Sequence, residues 1–377
     1  MTEPDWLRWR DEFPILEHSV YLNSCSLGAL SRRVESSIGG FLTDWHELGA
    51  AAWYTRWLDR LGLLRSRVAT LLGGEEDEIA LPASTSAALA TIGSAIDYAR
   101  RPRVVISELE FPTLAHAWLA RPDVEVIRIP SDDGATIDPA RFADAVDDRT
   151  ALIATSHVFF TTGAIQDLRT LADIAHRRGA LLLVDAYQSA GQLPIDVRRD
   201  DVDILLTGPL KWLLGGPGLA YAYVRRDRIA TLAPTTAGWF GAEGQFSFDN
   251  AHWRPRADAR RYELGTPALA AVHAALAADE IIDEIGVPAI RERNRILTER
   301  LIEGCAAHGL AVRVASRPEQ RSAIVMVAHA DPAAAVAALG RERIIVDWRP
   351  GYVRVSPHFY NTEAEVDRFT EVLAASP

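Results

Sequence analysis

Between residues 79 and 224, apolar positions fall in short unbroken runs separated by stretches of helical periodicity. The runs predict strands at Glu78–Leu81, Arg103–Ser107, Val124–Ile129, Ala151–Thr155, Ala180–Asp185, Asp203–Thr207 and Leu219–Val224. The periodic stretches predict helices over Ser86–Tyr98, Asp138–Val146 and Asp167–Arg178. Several strands lack polar alternation, as happens when helices cover both faces of a parallel sheet. The expected fold is therefore α/β, with a mostly parallel, doubly wound sheet. Ligands of such sheets bind beyond the carboxyl ends of the strands, and Asp185 closes one of these runs.

After Gly265 the pattern changes. Thr266 can cap, and Pro267 can start, a long helix that gives way near Gly286-Val-Pro288 to a second helix reaching His308. Strand-like runs follow at Leu310–Val314, Ala323–Val327, Arg343–Val346 and Tyr352–Val355. One further helix begins at Asp331-Pro332, and another at Thr362, where Thr362 and Glu365 fit a capping box. Three parts are expected: an amino-terminal segment (1–20) packing on the small domain, a large α/β domain (21–262) and a smaller α+β domain (263–377).

Composition narrows the partners. A net charge of −11 argues against nucleic acid or an anionic membrane surface. No apolar stretch is long enough to span a bilayer, and the charged amino terminus lacks the apolar core of a signal peptide. The expected compartment is the cytoplasm. Cys25 and Cys305 are too few for a disulfide framework or a cysteine metal site, so no metal is expected.

All but one of the forty basic residues are arginine; the exception is Lys211. Arginine stays protonated, whereas a lysine amine can deprotonate and attack a carbonyl. Lys211 lies on the loop after the strand that follows Asp185. A carboxylate at a strand end and a lysine on the next loop form the arrangement that pyridoxal phosphate requires. That cofactor needs an amine for its aldehyde, a carboxylate at its ring nitrogen, donors for its phosphate and a flat cover for its ring. Lys211 and Asp185 answer the first two demands. Ser84, Thr85 and Ser86 follow a strand and open a helix, where N–H groups and hydroxyls converge on an anion. Phe111 is positioned to cover the ring, Gln188 to donate to its phenolic oxygen, and Arg354 to grip a substrate carboxylate.

These residues also carry a resemblance. The chain resembles fold-type I pyridoxal phosphate enzymes of the class V aminotransferase superfamily, and kynureninases within it most closely. The likeness runs through Tyr21-Leu-Asn-Ser-Cys-Ser-Leu-Gly28, Asp185-Ala-Tyr-Gln-Ser-Ala-Gly191, Lys211-Trp-Leu-Leu-Gly-Gly-Pro-Gly218, Gly238-Trp-Phe-Gly241, Arg261-Tyr-Glu-Leu-Gly-Thr-Pro267 and Arg354-Val-Ser-Pro-His-Phe-Tyr-Asn361. It implies Lys211 as the Schiff-base lysine, Asp185 on the ring nitrogen, Phe111 over the ring and Arg354 on the substrate. It also implies a homodimer in which Trp239 and Thr266 of one subunit reach the other's phosphate. Three positions depart from kynureninases: Leu210 replaces a tyrosine before the lysine, Leu114 an aspartate and Ala242 a histidine. No cysteine lies between Ala328 and Arg354, where desulfurases carry their catalytic one. The expectation is a lyase acting at Cβ of an amino acid, such as a C–S β-elimination. An aminotransferase, a true kynureninase and a non-catalytic cofactor-binding protein are the alternatives.

Overall fold

The apolar runs join into one seven-stranded sheet in the computed structural model, which describes residues 5–376. In chain order its strands are β1 (Ile79–Ala80), β2 (Arg103–Ser107), β3 (Glu125–Ile129), β4 (Thr150–Ser156), β5 (Leu181–Asp185), β6 (Ile204–Thr207) and β7 (Tyr221–Val224). Their spatial order is β1-β7-β6-β5-β4-β2-β3. The pairs from β3 through β6 are parallel, while β7 runs antiparallel to both of its neighbours. All residues of β4, β6 and β7 are buried, which explains why their sequences are apolar without alternation.

The strands lie within a few residues of their sequence-predicted bounds. The helix expected over Ser86–Tyr98 runs Thr85–Gly93 instead. It stops where the Ser94 hydroxyl donates to the Thr91 carbonyl at 2.7 Å, and that hydroxyl then accepts the Thr235 and Thr236 N–H groups. Tertiary contacts here outweigh local helical spacing. The long helix after Gly265 begins at Leu269, not at Pro267, with Ala268 extended before it and no side-chain cap. The Thr362–Glu365 capping box forms as expected.

Helix Leu58–Leu72 packs against β1, and Leu269–Ile285 packs against both that helix and Arg32–Leu48. Arg65 and Glu263 make a buried ion pair at 2.8 Å beneath this layer. Glu263 also accepts the Leu81 N–H at 2.9 Å, so it fastens the helix Leu58–Leu72 to the end of β1.

Further along the chain, a four-stranded antiparallel sheet has the order Asp347–Arg349, Tyr352–Val355, Val325–Ala328, Val312–Arg313. Helices Val287–Ala307, Pro332–Arg341 and Glu363–Ala374 pack with it around a separate apolar core. Asp347–Arg349 was not among the sequence-predicted strands. Its alternating charged residues and short length hide it from an apolar-run criterion.

The segment from Asp5 to Gly28 binds the two sheets together. Arg10 pairs with Glu365 at 2.8 Å, and Phe13 packs on Phe359 and Tyr360. Val20–Tyr21 pairs in parallel with Ile344–Ile345, and Asn23 bridges to Ser356. Residues 1–4 of the expected amino-terminal segment lie outside the described residues. No helix among the described residues is long and apolar enough to cross a membrane.

Removing one member of the Arg65–Glu263 pair strands a charge in the core. Arg65→Ala should cost about 3–5 kcal/mol of unfolding free energy in a urea titration. Loss of less than about 1 kcal/mol would show that water reaches Glu263 and screens it.

Candidate active site

Parallel register sets the floor of the site. Ser156 at the end of β4 pairs with Asp185 at the end of β5, and Asp185 pairs with Leu206 on β6. A cavity of about 220 Å³ opens beyond this edge. Thr85, Ser86, Phe111, Asp185, Gln188 and Lys211 all line it, together with Tyr187 and Leu210. Residues separated by more than a hundred positions in sequence therefore share one small chamber.

Lys211 extends into that chamber from the loop after β6. Burial pushes its amine down to about 8, opposed by the charges of Cys25 and Asp185 and reinforced by Arg354 and Arg349. Its Nζ stands 5.8 Å from the Phe111 ring centroid and 4.9 Å from that of Tyr187. Asp185 is buried, and burial raises its carboxyl above the ordinary range, against the Tyr187 N–H at 2.9 Å and the Lys211 charge. A cation arriving beside it would return that carboxyl to its ionised form.

Gln188 is fixed at both ends of its amide. Its Nε2 donates to the Cys25 carbonyl at 3.0 Å, and its Oε1 accepts from the Trp212 indole at 2.9 Å. One Nε2 hydrogen remains for a further partner. Ser84 caps the helix Thr85–Gly93 by accepting the Ala87 N–H at 3.1 Å, whereas the buried Thr85 Oγ1 has no hydrogen-bond partner. An orphaned hydroxyl at a helix N-terminus, facing a cavity, suits an anion.

Phe111 is held by the residue before it. Glu110 is buried and accepts from the hydroxyls of Ser107, Thr155 and Ser156, each at 2.6 Å, and from the Ser156 N–H at 2.8 Å. The carboxylate thus ties the Phe111 turn to the ends of β2 and β4. Glu110 carries no distinguishing signal in the sequence, being a lone glutamate before an aromatic residue.

Arg354 is buried and does not line the chamber itself. It donates to the carbonyl of Phe160, a wall residue, at 3.2 Å, to Ser26 Oγ at 2.7 Å and to Asp347 at 3.0 Å. Burial acts to raise the Asp347 carboxyl, but the Trp348 N–H, Arg349 and Arg354 outweigh it and hold that group below its usual range. Trp239 and Thr266 are exposed and stand apart from the Lys211 chamber within one chain. The Trp239 indole donates instead to the Gln245 carbonyl at 2.7 Å in an outer loop. Leu114 is wholly buried in the core, Leu210 forms part of the chamber wall, and Ala242 belongs to the outer loop.

The description "Aminotransferase class-V" matches residues 29–369. The chain belongs to this family. It is 35% identical over 377 residues to "Uncharacterized aminotransferase YcbU" of Bacillus subtilis (strain 168), covering 98% of this chain and 97% of that protein. It is 30% identical to a kynureninase of Geobacillus thermodenitrificans (strain NG80-2), over 99% of this chain and 92% of that one. Among solved structures, the apo cysteine desulfurase of Thermococcus onnurineus NA1 superposes with a TM-score of 0.88 at 22% identity, covering 100% of this chain and 98% of the other. The cystine C–S lyase C-DES, in complex with its product cysteine persulfide, gives 0.89 at 22% identity, covering 97% and 99%. At that identity the two structures establish the fold. Class V membership makes this chain a pyridoxal phosphate-dependent enzyme, and the chamber fits that cofactor: an amine, a carboxyl, a flat aromatic wall and an unpaired helix-end hydroxyl converge in it.

The depressed amine can be measured directly, since the chain has one lysine. Labelling of cofactor-free protein by an amine-selective reagent, mapped to the Lys211 peptide, should rise with pH through a midpoint of about 8. A midpoint near the ordinary lysine value would show that water fills the chamber.

Proposed function

We propose that the chain is a lyase acting at Cβ of an L-α-amino acid, most simply a C–S β-elimination. Pyridoxal phosphate, when bound, supplies the aldehyde and an electron-accepting ring. Lys211 would hold the aldehyde and Asp185 the ring nitrogen, with Ser84, Thr85 and Ser86 on the phosphate, Phe111 on the ring face and Gln188 on the phenolic oxygen. Freed of its aldehyde, the Lys211 amine serves as the base that takes the proton from substrate Cα, a task its lowered affinity for protons suits near neutral pH. Arg354 would receive the substrate carboxylate at the Ser26 and Phe160 side of the chamber. The carboxylate would then compete with Asp347 for the guanidinium.

One observation favours elimination over hydrolysis of an aryl ketone. At the position before the lysine the chamber wall is Leu210, which can neither give nor take a proton. A leaving group that departs as a stable anion, such as a thiolate, needs no acid there. The second reading is an aminotransferase, supported by the 35% identity to a protein named as one. We further propose a cytoplasmic homodimer built from the three parts described above. The exposed Trp239, Phe246, Phe248 and Trp253 would face the partner, and Trp239 and Thr266 would reach its phosphate site.

Borohydride treatment of cofactor-loaded protein, followed by peptide mapping, should leave the pyridoxyl group on Lys211; an unmodified Lys211 in fully loaded protein would refute its assignment. Asp185→Asn should keep the cofactor but lose at least about 10²-fold in turnover, since a charge interaction in a shielded site is worth several kcal/mol. Assays with cysteine conjugates should release pyruvate and thiol, while saturating L-kynurenine should yield negligible anthranilate. Robust anthranilate formation would restore the kynureninase alternative. Keto acid formed only with an added acceptor would favour the aminotransferase.

A further inference from the structure

Asp347 and Arg354 stand opposite each other in the antiparallel register of two short strands, so both side chains leave the same face of the small sheet. Arg354 is 2% exposed, and its donors can be counted. Each terminal nitrogen carries two hydrogens and Nε one. Both Nη2 hydrogens are taken, by Ser26 Oγ at 2.7 Å and by Asp347 Oδ2 at 3.0 Å. Nη1 gives one to the Phe160 carbonyl at 3.2 Å, and the buried Nε–H has no partner among the described residues. A carboxylate grips a guanidinium by two parallel bonds, through Nε and Nη2 or through Nη1 and Nη2. Either fork needs Nη2. The guanidinium has hydrogens to spare, yet no bidentate ligand can dock until one occupant of Nη2 leaves.

Asp347 is the occupant able to leave. Its side chain is 31% exposed, so water and a neighbouring cation can receive it. Its Oδ2 also accepts from Arg349 at 2.7 Å, and its Oδ1 accepts the Trp348 N–H at 2.8 Å. Arg349 forms no other ion pair among the described residues, so Asp347 released from Arg354 stays charge-balanced. An incoming carboxylate exchanges one anion on Arg354 for another, and the buried guanidinium is never left without a counter-charge, a state that costs several kcal/mol. A neutral amide offers no such exchange. We propose that Asp347 is a positioning residue that holds the carboxylate place on Arg354 until an arriving α-carboxylate displaces it onto Arg349. Ligands whose carboxyl is blocked as an amide cannot drive that displacement, so Asp347 sets a preference for free amino acids. This rests on Arg354 as the grip for the substrate carboxylate, and it adds what must move before the grip closes.

The test titrates cofactor-loaded, full-length protein with L-alanine, which has the amine and the carboxylate but no leaving group. Binding is read from the visible absorbance of the cofactor, and L-alaninamide is the control without the negative charge. Asp347→Asn should lower the Kd for L-alanine roughly tenfold, the scale of one charge-assisted hydrogen bond, and change that for L-alaninamide by less than about threefold. Arg349→Gln, which removes the second partner of the displaced carboxylate, should raise the L-alanine Kd. Asp347→Ser carries the test should the asparagine variant fail to fold. Replacing a merely structural Asp347 would weaken binding of both ligands, and that result overturns the proposal. So does an L-alanine Kd unchanged in either the Asp347 or the Arg349 variant, or an equal gain for the amide. An Arg354→Lys protein that binds L-alanine as tightly as wild type would instead defeat the reading of Arg354 as the carboxylate grip.

Discussion

An amine and a carboxyl group kept out of water at the same sheet edge constrain everything around them. Burial disfavours the charged form of both Lys211 and Asp185 and shifts each toward its neutral form. Holding both in that state requires walls that exclude water without neutralising them through direct ion pairs. The structure supplies such walls as aromatic rings and aliphatic side chains, while the polar groups nearby are largely bonded to one another. Gln188 is engaged by Cys25 and Trp212, and Glu110 by three hydroxyls and an N–H. Most polar neighbours of the amine and the carboxyl are thus satisfied, and the Thr85 hydroxyl is an exception.

Much of this was legible in the sequence, for specific reasons. Strands buried on both faces must be apolar without interruption, so β4 to β7 stand out, and a carboxylate ending such a run is conspicuous. A single lysine among so many arginines is equally conspicuous. The Thr362 cap reads correctly because its chemistry is local, whereas Ser84, expected at an anion, is occupied as the cap of its own helix. What stayed hidden depends on tertiary contact. Helices Arg32–Leu48 and Leu58–Leu72 form a layer whose apolar stripes are mixed with arginine and glycine. The strand Asp347–Arg349 exists because its neighbours pair with it.

The candidate site shows the same division. Asp185, Gln188, Phe111, Lys211, Thr85 and Ser86 were named from sequence, and the fold brings them to one chamber, whereas Ser84 is turned to capping the helix Thr85–Gly93 and does not line it. Tyr187 sits between two of them in sequence and lines the same chamber, where Gly208, just past the end of β6, leaves room for its ring. Arg354 was named as a grip for a substrate carboxylate; within the chain it is engaged by Asp347, a partner set by antiparallel register between two short strands. Trp239 and Thr266 lie away from the chamber, and a single chain offers them no path to it.

The strap from Val20 to Gly28 gives these separate facts a mechanical meaning. At one end it is a strand of the Ile344–Ile345 pair, and the Ser24 N–H donates to the carbonyl of Ser356, two positions beyond Arg354, while the Ser356 N–H donates to the Leu22 carbonyl. At the other end the Gly28 N–H donates to the Leu210 carbonyl at 2.9 Å. The fit there is so close that a Cβ on Gly28 would come within 2.3 Å of the Lys211 carbonyl. One short length of backbone is therefore fastened both to the arginine's sheet and to the lysine's loop. Displacing the small sheet would therefore pull on the lysine's loop, and a substrate held as proposed between Arg354 and Lys211 would be gripped by parts joined in one linkage.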